Sequence, residues 1–410
     1  MTHPRRLLIA SFASSTLLGG AGFANAGASF HSLGQGIASA VSGDGSTVVG
    51  AGNGGFIWTL GGGLVPIGGV GAQAVSQDGS IVAGDVNVGS FVSAGRYVGG
   101  SWTDFGALGP AGCDASLSST YGISGDGSIV VGLGWNGCAA KAFRWTEATG
   151  MVALPQMGSG STRANAISAD GSFIGGWDEG SGGGRRAALW SGEMFVETLL
   201  LAGEPGNAAG EGEINGLNSD GSIIVGQANS ALSATRGPFV RRAGEGISYL
   251  GDIPGTAPNV SGALDTSDDG SVIVGFQREG FGGFAVFDAT IWTESTGTVR
   301  LSDYLAGLGV AVPPTLQLAA ALSVSDDGTV ISGWGYSGFI FNQIAWVATL
   351  PGAAPCGGDL NGDGLVDGAD MGALLAAWGP CAGCAADLDG DGVVDGADMG
   401  ILLAAWGACG

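Results

Sequence analysis

Near the end of this chain, two stretches 28 residues apart repeat one alternation of acidic residues and glycine: DLNGDGLVDGAD from Asp359 and DLDGDGVVDGAD from Asp387. The first offers oxygen atoms from Asp359, Asn361, Asp363, the Leu365 carbonyl, Asp367 and Asp370. The second offers them from Asp387, Asp389, Asp391, the Val393 carbonyl, Asp395 and Asp398. These fall at loop positions 1, 3, 5, 7, 9 and 12, and Gly364 and Gly392 take position 6, where the chain must turn sharply. A hard divalent cation wants six to eight oxygen ligands, and this is the spacing of a twelve-residue Ca²⁺ loop. Four carboxylates in one loop and five in the other, with no Lys or Arg after Arg300, repel one another unless a cation gathers them. Surface acidity alone does not explain two full ligand sets in register, so the sequence implies two Ca²⁺ ions.

Each loop runs into an apolar helical pattern. Met371, Leu374, Leu375 and Trp378 recur at helical spacing, as do Met399, Leu402, Leu403 and Trp406, with Gly379 and Gly407 as stops. These faces are expected to pack on each other. Ala373, Ala376 and Ala377 leave the other side small and uncharged, and that side is expected to dock on a partner or on the body of the protein. A duplicated EF-hand-like loop followed by one helix, with Asp rather than Glu closing each loop, resembles a type I dockerin over 359–407. The resemblance implies attachment of a secreted protein to a cohesin-like or other surface protein through these helices. Gly368-Ala369 and Gly396-Ala397 stand where such modules commonly carry Ser-Thr, which puts a conventional cohesin partner in doubt.

The body that carries this tail is built on a phrase repeated seven times. Its Asp-Gly pairs begin at Asp44, Asp78, Asp126, Asp170, Asp220, Asp269 and Asp327, with Ser or Thr next, β-branched residues after it, and Gly six residues past each Asp. Asp-Gly between apolar runs favours a hairpin whose two central residues take positive φ. A run ending in Trp58, Trp102, Trp145, Trp190, Trp292 or Trp346 follows all but the fifth copy, and a further strand comes after a polar turn. Four strands per unit, at spacings of 34 to 58 residues, predict an all-β, seven-bladed β-propeller over 27–351. Ser29–Leu33 is expected to complete the last unit by pairing with Ile344–Thr349, which would leave no exposed sheet edge. Ser124–Gly132 and Ala142–Thr146 resemble the HAF-type extracellular repeats, which implies export and brings no catalytic residues. The phrase also looks like the Asp-box of sialidase propellers, but here Asp and Gly are adjacent. The repeated Asp residues read as turn formers and the Trp residues as packing between blades.

Composition bounds the rest. Gly makes up 84 of 410 residues without a three-residue period, as in a turn-rich β protein. A formal charge of −23 with a single lysine, Lys141, argues against nucleic acid or anionic lipid as a partner. Arg5 and Arg6, the apolar run Leu7–Phe23 and Ala24-Asn25-Ala26 form a signal peptide over 1–26, so the mature chain is expected to be secreted or held at a cell surface, with no membrane span after cleavage. The six cysteines then pair. Cys113 and Cys138 fall at one rim of one unit. A helix of about ten residues separates loop entrance from helix end within a tail repeat, some 15 Å, so Cys356–Cys409 and Cys381–Cys384 are favoured over pairs within a repeat.

A small all-α domain over 359–410, joined by the linker 352–358, thus follows the propeller. The reading is a non-catalytic binding or attachment protein, with carbohydrate as a candidate ligand. The alternative is a polysaccharide-degrading glycoside hydrolase or lyase carried by the tail. His31 is the only histidine of the mature chain, which disfavours a Ser-His-Asp system. Paired carboxylates would suffice for a glycosidase, but no pair stands out: Glu147, Glu193, Asp178 and Glu294 all read as solvated turn residues.

Overall fold

The computed structural model describes residues 27–110, 116–179, 184–191, 194–198, 211–229, 236–280, 285–351, 358, 360, 365–381, 384, 386–389 and 392–408. Residues 1–26, read from the sequence as a signal peptide, and Asp359, Asn361, Asp363, Asp391, Cys113, Cys356, Cys409 and Glu193 lie outside these residues.

The seven Asp-Gly phrases each close a tight hairpin, though not the mirror-image turn. Among the described residues none but glycine has positive φ, and the seven glycines that follow the aspartates sit at φ of 69–73°. In the first copy the Gly45 N–H donates to the Ser42 carbonyl at 2.9 Å, which makes Ser42–Gly45 a type I turn with a left-handed glycine at its last position. The side chains explain the preference. Ser42 Oγ donates to Asp44 Oδ1 at 2.6 Å, the Ser46 N–H donates to the same oxygen at 2.9 Å, and the Thr47 N–H donates to Ser42 Oγ at 3.0 Å. Asp44 is thereby satisfied with its own backbone in the right-handed region. In the fifth copy Asn218 takes the serine's place, and its Oδ1 accepts from the Ile223 N–H.

The glycine six residues past each Asp is there for space. A Cβ on Gly50, Gly84, Gly132, Gly176, Gly226, Gly275 or Gly333 would stand only 2.0–2.2 Å from a carbonyl oxygen of the preceding strand. At Gly50, Gly132 and Gly226 the ring of Phe56, Phe143 or Phe239 lies over the gap. The aromatic runs and the glycines are therefore two halves of one packing contact.

Antiparallel four-stranded sheets result, spanning 37–68, 71–104, 118–153 and 162–198, and an eight-stranded sheet over 212–300 is joined by one parallel pairing of Arg236 with Val260. In a further four-stranded sheet, Ser29–Gln35 pairs with Gln343–Thr349, with Ser29 opposite Thr349 and Gln35 opposite Ile344. Core clusters lie between successive units. Val131, Ala142 and Leu154 pack on Ala164, Ile174 and Trp190, and Ala38, Val48 and Phe56 pack on Ala345 and Val347. Trp190 and Trp346 are wholly buried, so these repeated tryptophans are core. The protein is mostly β and β-propeller-like. One element was not foreseen: α1 (Leu301–Gly307) buries Leu301 and Leu305 beside the last two units.

In the tail, α2 (Gly368–Ala376) and α3 (Gly396–Ala404) begin at Asp367 and Asp395, whose side chains accept from the Ala369 and Ala397 N–H groups in full capping boxes. Leu365–Val366 pairs with Gly407–Ala408, and Gly379–Pro380 pairs with Val393–Val394, so each loop is tied to the end of the other helix. Cys381 and Cys384 form a disulfide with Cα atoms 5.7 Å apart. Only Leu374 and Leu402 of the expected packing faces are fully buried. Leu375, Trp378, Leu403 and Trp406 are each half exposed, because one short helix on another covers a narrow stripe.

Candidate metal centre

Asp387, Asp389 and Asp398 each bring one carboxylate oxygen within 4.8 Å of the others, the one such acidic, Cys or His group among the described residues. The second loop and the first turn of α3 hold them. Asp398 Oδ1 accepts from the Leu388 N–H at 2.7 Å and the Asp389 N–H at 3.3 Å, and its Oδ2 accepts from the Asp395 N–H at 2.7 Å. The Asp395 N–H foremost, and then the loop amides, hold the Asp398 carboxyl below the usual carboxylate range. Asp387 Oδ2 accepts from the Gly392 N–H at 3.0 Å, whereas its Oδ1 is buried without a hydrogen-bond partner.

A buried carboxylate oxygen without a donor is costly. With two further carboxylates around it, the residues present fit a hard cation. The first loop has the same frame. Asp370 Oδ1 accepts from the Leu360 N–H at 2.8 Å, and its Oδ2 accepts from the Asp367 N–H at 2.9 Å. Asp367 and Asp395, read as ligands, act here as helix caps, and Leu365 and Val393 lie in the two short ladders.

A second feature lies where the first strands of the units come together. Every first strand of a unit carries a register shift at one place, such as Ala38/Ala40, Ala72/Ala74 and Ala321/Ser323. The skipped residues Ser39, Gln73, Tyr121, Asn165, Asn215, Leu264 and Leu322 all line a cavity of about 200 Å³. Bulges aim a side chain out of the ladder, and here the same position of each unit lines this cavity.

Two acids line this cavity, and both are held structurally. Asp265 is partly buried and accepts from Ser323 Oγ at 2.8 Å and from the Val324 and Thr266 N–H groups at 3.0 and 2.9 Å. Burial pushes its carboxyl up to about 6. Asp326 accepts from Gln77 Nε2 at 2.9 Å and is also raised by burial.

Elsewhere, Glu147 is exposed and Glu294 lies on a turn, as expected, but Asp178 is wholly buried, with its Oδ2 accepting from the Met157 N–H. Sequence reading also missed Glu213, which meets Arg185, Arg236 and Arg163 at 2.8, 3.4 and 3.5 Å. Nothing in the repeat marked it, because no other unit has an acid at that position. Among the described residues no helix is long and apolar enough to cross a membrane.

No family model and no curated protein matches this chain. Among solved structures it is similar to an oligogalacturonate lyase in complex with manganese, at 13% identity and a TM-score of 0.49, over 79% of this chain and 96% of that one. The oligogalacturonate lyase of Vibrio parahaemolyticus is similar at 12% identity and a TM-score of 0.49, over 79% and 97%. TolB of Acinetobacter baumannii is similar at 14% identity and a TM-score of 0.38 over 51% of this chain, which spans about half of that protein (52%). These likenesses concern the fold alone.

Proposed function

We propose that the chain is a secreted, non-catalytic binding protein: a closed, seven-bladed β-propeller attached to an extracellular surface by a dockerin-like module that holds two Ca²⁺ ions. In this reading the eight-stranded sheet is two blades, and Ser29–Gln35 completes the seventh. A relay of hydrogen bonds between the turns supports closure. The Asp44 N–H donates to the Gln77 carbonyl, Gln77 to Gly125, Gly125 to Ala169 and Asp170 to Ser219. Ser219 donates to the Asp268 carboxylate, Asp268 to Asp326, and Asp326 back to Gly43.

The metal reading rests on Asp387 Oδ1, the buried oxygen that lacks a donor and sits beside the carboxylates of Asp389 and Asp398. The Ca²⁺ ions would neutralise the two loops and fix the helices. Leu375, Trp378, Leu403 and Trp406 would then meet a cohesin-like or other surface protein.

The test is calorimetric titration of the whole protein with Ca²⁺ after chelation. Two bound ions are expected, and one in Asp387→Asn. A chain that takes up no Ca²⁺, or an Asp387→Asn variant that still binds two, would refute the reading.

A further inference from the structure

Among the described residues of the body, the two most exposed large apolar side chains are neighbours. Phe339 and Phe341 are 83% and 93% exposed. Single exposed apolar residues need no explanation, but two bare phenylalanines one residue apart do. They stand on a built turn. The Phe339 N–H donates to the Ser337 carbonyl at 3.1 Å, the Asn342 N–H to the Phe339 carbonyl at 2.8 Å, and Asn342 Nδ2 to the Ser337 carbonyl at 3.2 Å. This turn is tied across the seam where the N-terminal strand joins. The Gly36 N–H donates to the Gln343 carbonyl at 3.0 Å, and Gln35 Nε2 donates to Asn342 Oδ1 at 3.4 Å. Just before the turn come Trp334 and Tyr336, with ring centroids 6.5 Å apart, and Phe287 of the neighbouring unit lies 6.0 Å from Trp334.

Charge narrows the partner. On a chain of net −23, the sequence has no Asp, Glu, Lys or Arg between Asp327 and Asp359, and only His31 carries a titratable side chain between Gly27 and Gly43. Both segments of the seam are thus without charge, the amides of Gln35 and Asn342 lie beside the bare rings, and the charge that approaches is Arg278 of the neighbouring unit, 6.0 Å over the Phe287 ring. Asn342 and Gln35 bond to each other and to the turn, and an acyl chain or an apolar helix would cover their further hydrogen-bonding capacity without pairing it, at a cost. A pyranose has the matching pattern, with C–H faces for the rings and hydroxyls for the amides. The acidic surface repels anionic polymers.

We infer that the Phe339–Phe341 turn, with Tyr336, Gln35 and Asn342, is a binding platform for a neutral polysaccharide. This rests on the reading of the body as a binding propeller and supplies its ligand class.

The test is affinity electrophoresis of the whole protein through gels containing hydroxyethyl cellulose, xylan or polygalacturonate, with and without chelator, beside flotation with phosphatidylcholine vesicles. Retardation is expected by a neutral polymer and not by polygalacturonate. It should persist in chelator and weaken about tenfold or more in F339S/F341S. Both residues are exposed, so the variant should keep the wild-type melting temperature. The inference is overturned by no retardation in either neutral gel, by unchanged retardation of the variant, or by Phe-dependent vesicle binding or self-association in place of glycan binding. Release of reducing ends from the bound polymer would instead defeat the non-catalytic reading and leave the platform standing.

Discussion

Asp326 donates its backbone N–H to the carbonyl of Gly43, 2.9 Å away, and so joins the last Asp-Gly turn to the first. The two residues are 283 positions apart in sequence, yet they make the same contact that Gln77, Gly125 and Asp268 make with the next turn. Loop closure over such a span costs entropy that grows only slowly with length, and the apolar contact of Ala38 and Phe56 with Ala345 and Val347 offsets it.

The repeated glycines give the first prediction. Gly50→Ala sets a methyl group 2.1 Å from the Ile37 carbonyl, with Phe56 closing the other side, so neither neighbour can yield. It should destabilise the body by about 2 to 4 kcal/mol in urea unfolding. Gly61→Ala, where a Cβ meets nothing, should change stability by less than about 0.5 kcal/mol. Equal effects of the two would contradict the packing argument.

Stability should depend on pH in an unusual direction. Asp85 and Asp265 are both pushed up to about 6 by burial, well above the ordinary 3.8. A carboxyl with a raised native value stabilises fully below the unfolded value, and that stability is lost as pH rises through the native one. The turn aspartates act oppositely. The N–H of Ser80 and the hydroxyls of Ser76 and Ser80 hold Asp78 down to about 2, so its contribution is lost only as pH falls below about 4. With chelator present, the melting temperature should climb from pH 7 to about pH 4 and then drop. Asp265→Asn should flatten the climb, removing up to roughly 3 kcal/mol of pH dependence. A curve that rises steadily from pH 4 to 7 would count against the raised carboxyls of Asp85 and Asp265.

Much of this architecture could be read from sequence because the repeat states its own physics seven times. Ser-x-Asp-Gly fixes a turn, and the later glycine and aromatic fix a packing contact. The turn type was misjudged, since Asp-Gly suits the mirror-image hairpin until Ser42 Oγ and the Ser46 N–H are seen to satisfy Asp44 in place. Residues that occur once were invisible. Glu213 with its three arginines, Asp178 and α1 have no counterpart in the other units, so no pattern announced them. In the tail, Asp387, Asp389 and Asp398 come together as the spacing demands. Helical periodicity alone could not tell that Leu375 and Trp378 face water, because that depends on how narrow a partner the helix meets.

Glu213 makes a separate prediction. Its side chain is 4% exposed and faces three guanidinium groups from two neighbouring units. Glu213→Gln leaves those charges close together without their common anion and should cost about 3 kcal/mol in urea unfolding. Glu147→Gln, at the exposed pair with Arg96, should cost less than about 1 kcal/mol. Adding Arg185→Met to Glu213→Gln should restore part of the loss, because that change removes one of the stranded charges. No recovery would mean that Glu213 matters for shape and not for charge.

The last prediction concerns the tail. Each helix buries one leucine, Leu374 or Leu402, and leaves a leucine and a tryptophan half exposed, in the same places on both repeats. Burying Trp378 and Trp406 on a partner would remove a large apolar area from water, and each side chain contributes on the order of 1.5 to 3 kcal/mol. None of the four apolar residues belongs to the acidic loops, so association and ion binding should separate cleanly. Trp378→Ser with Trp406→Ser should abolish attachment to cell-surface protein while the whole chain still takes up two Ca²⁺ ions. Ala376→Glu with Ala404→Glu, on the exposed face of the same helices, should weaken attachment as well, by placing charge beside the contact. If the tryptophan variant attaches as well as the parent, the half-exposed stripe is not the docking surface, and the body must carry attachment instead.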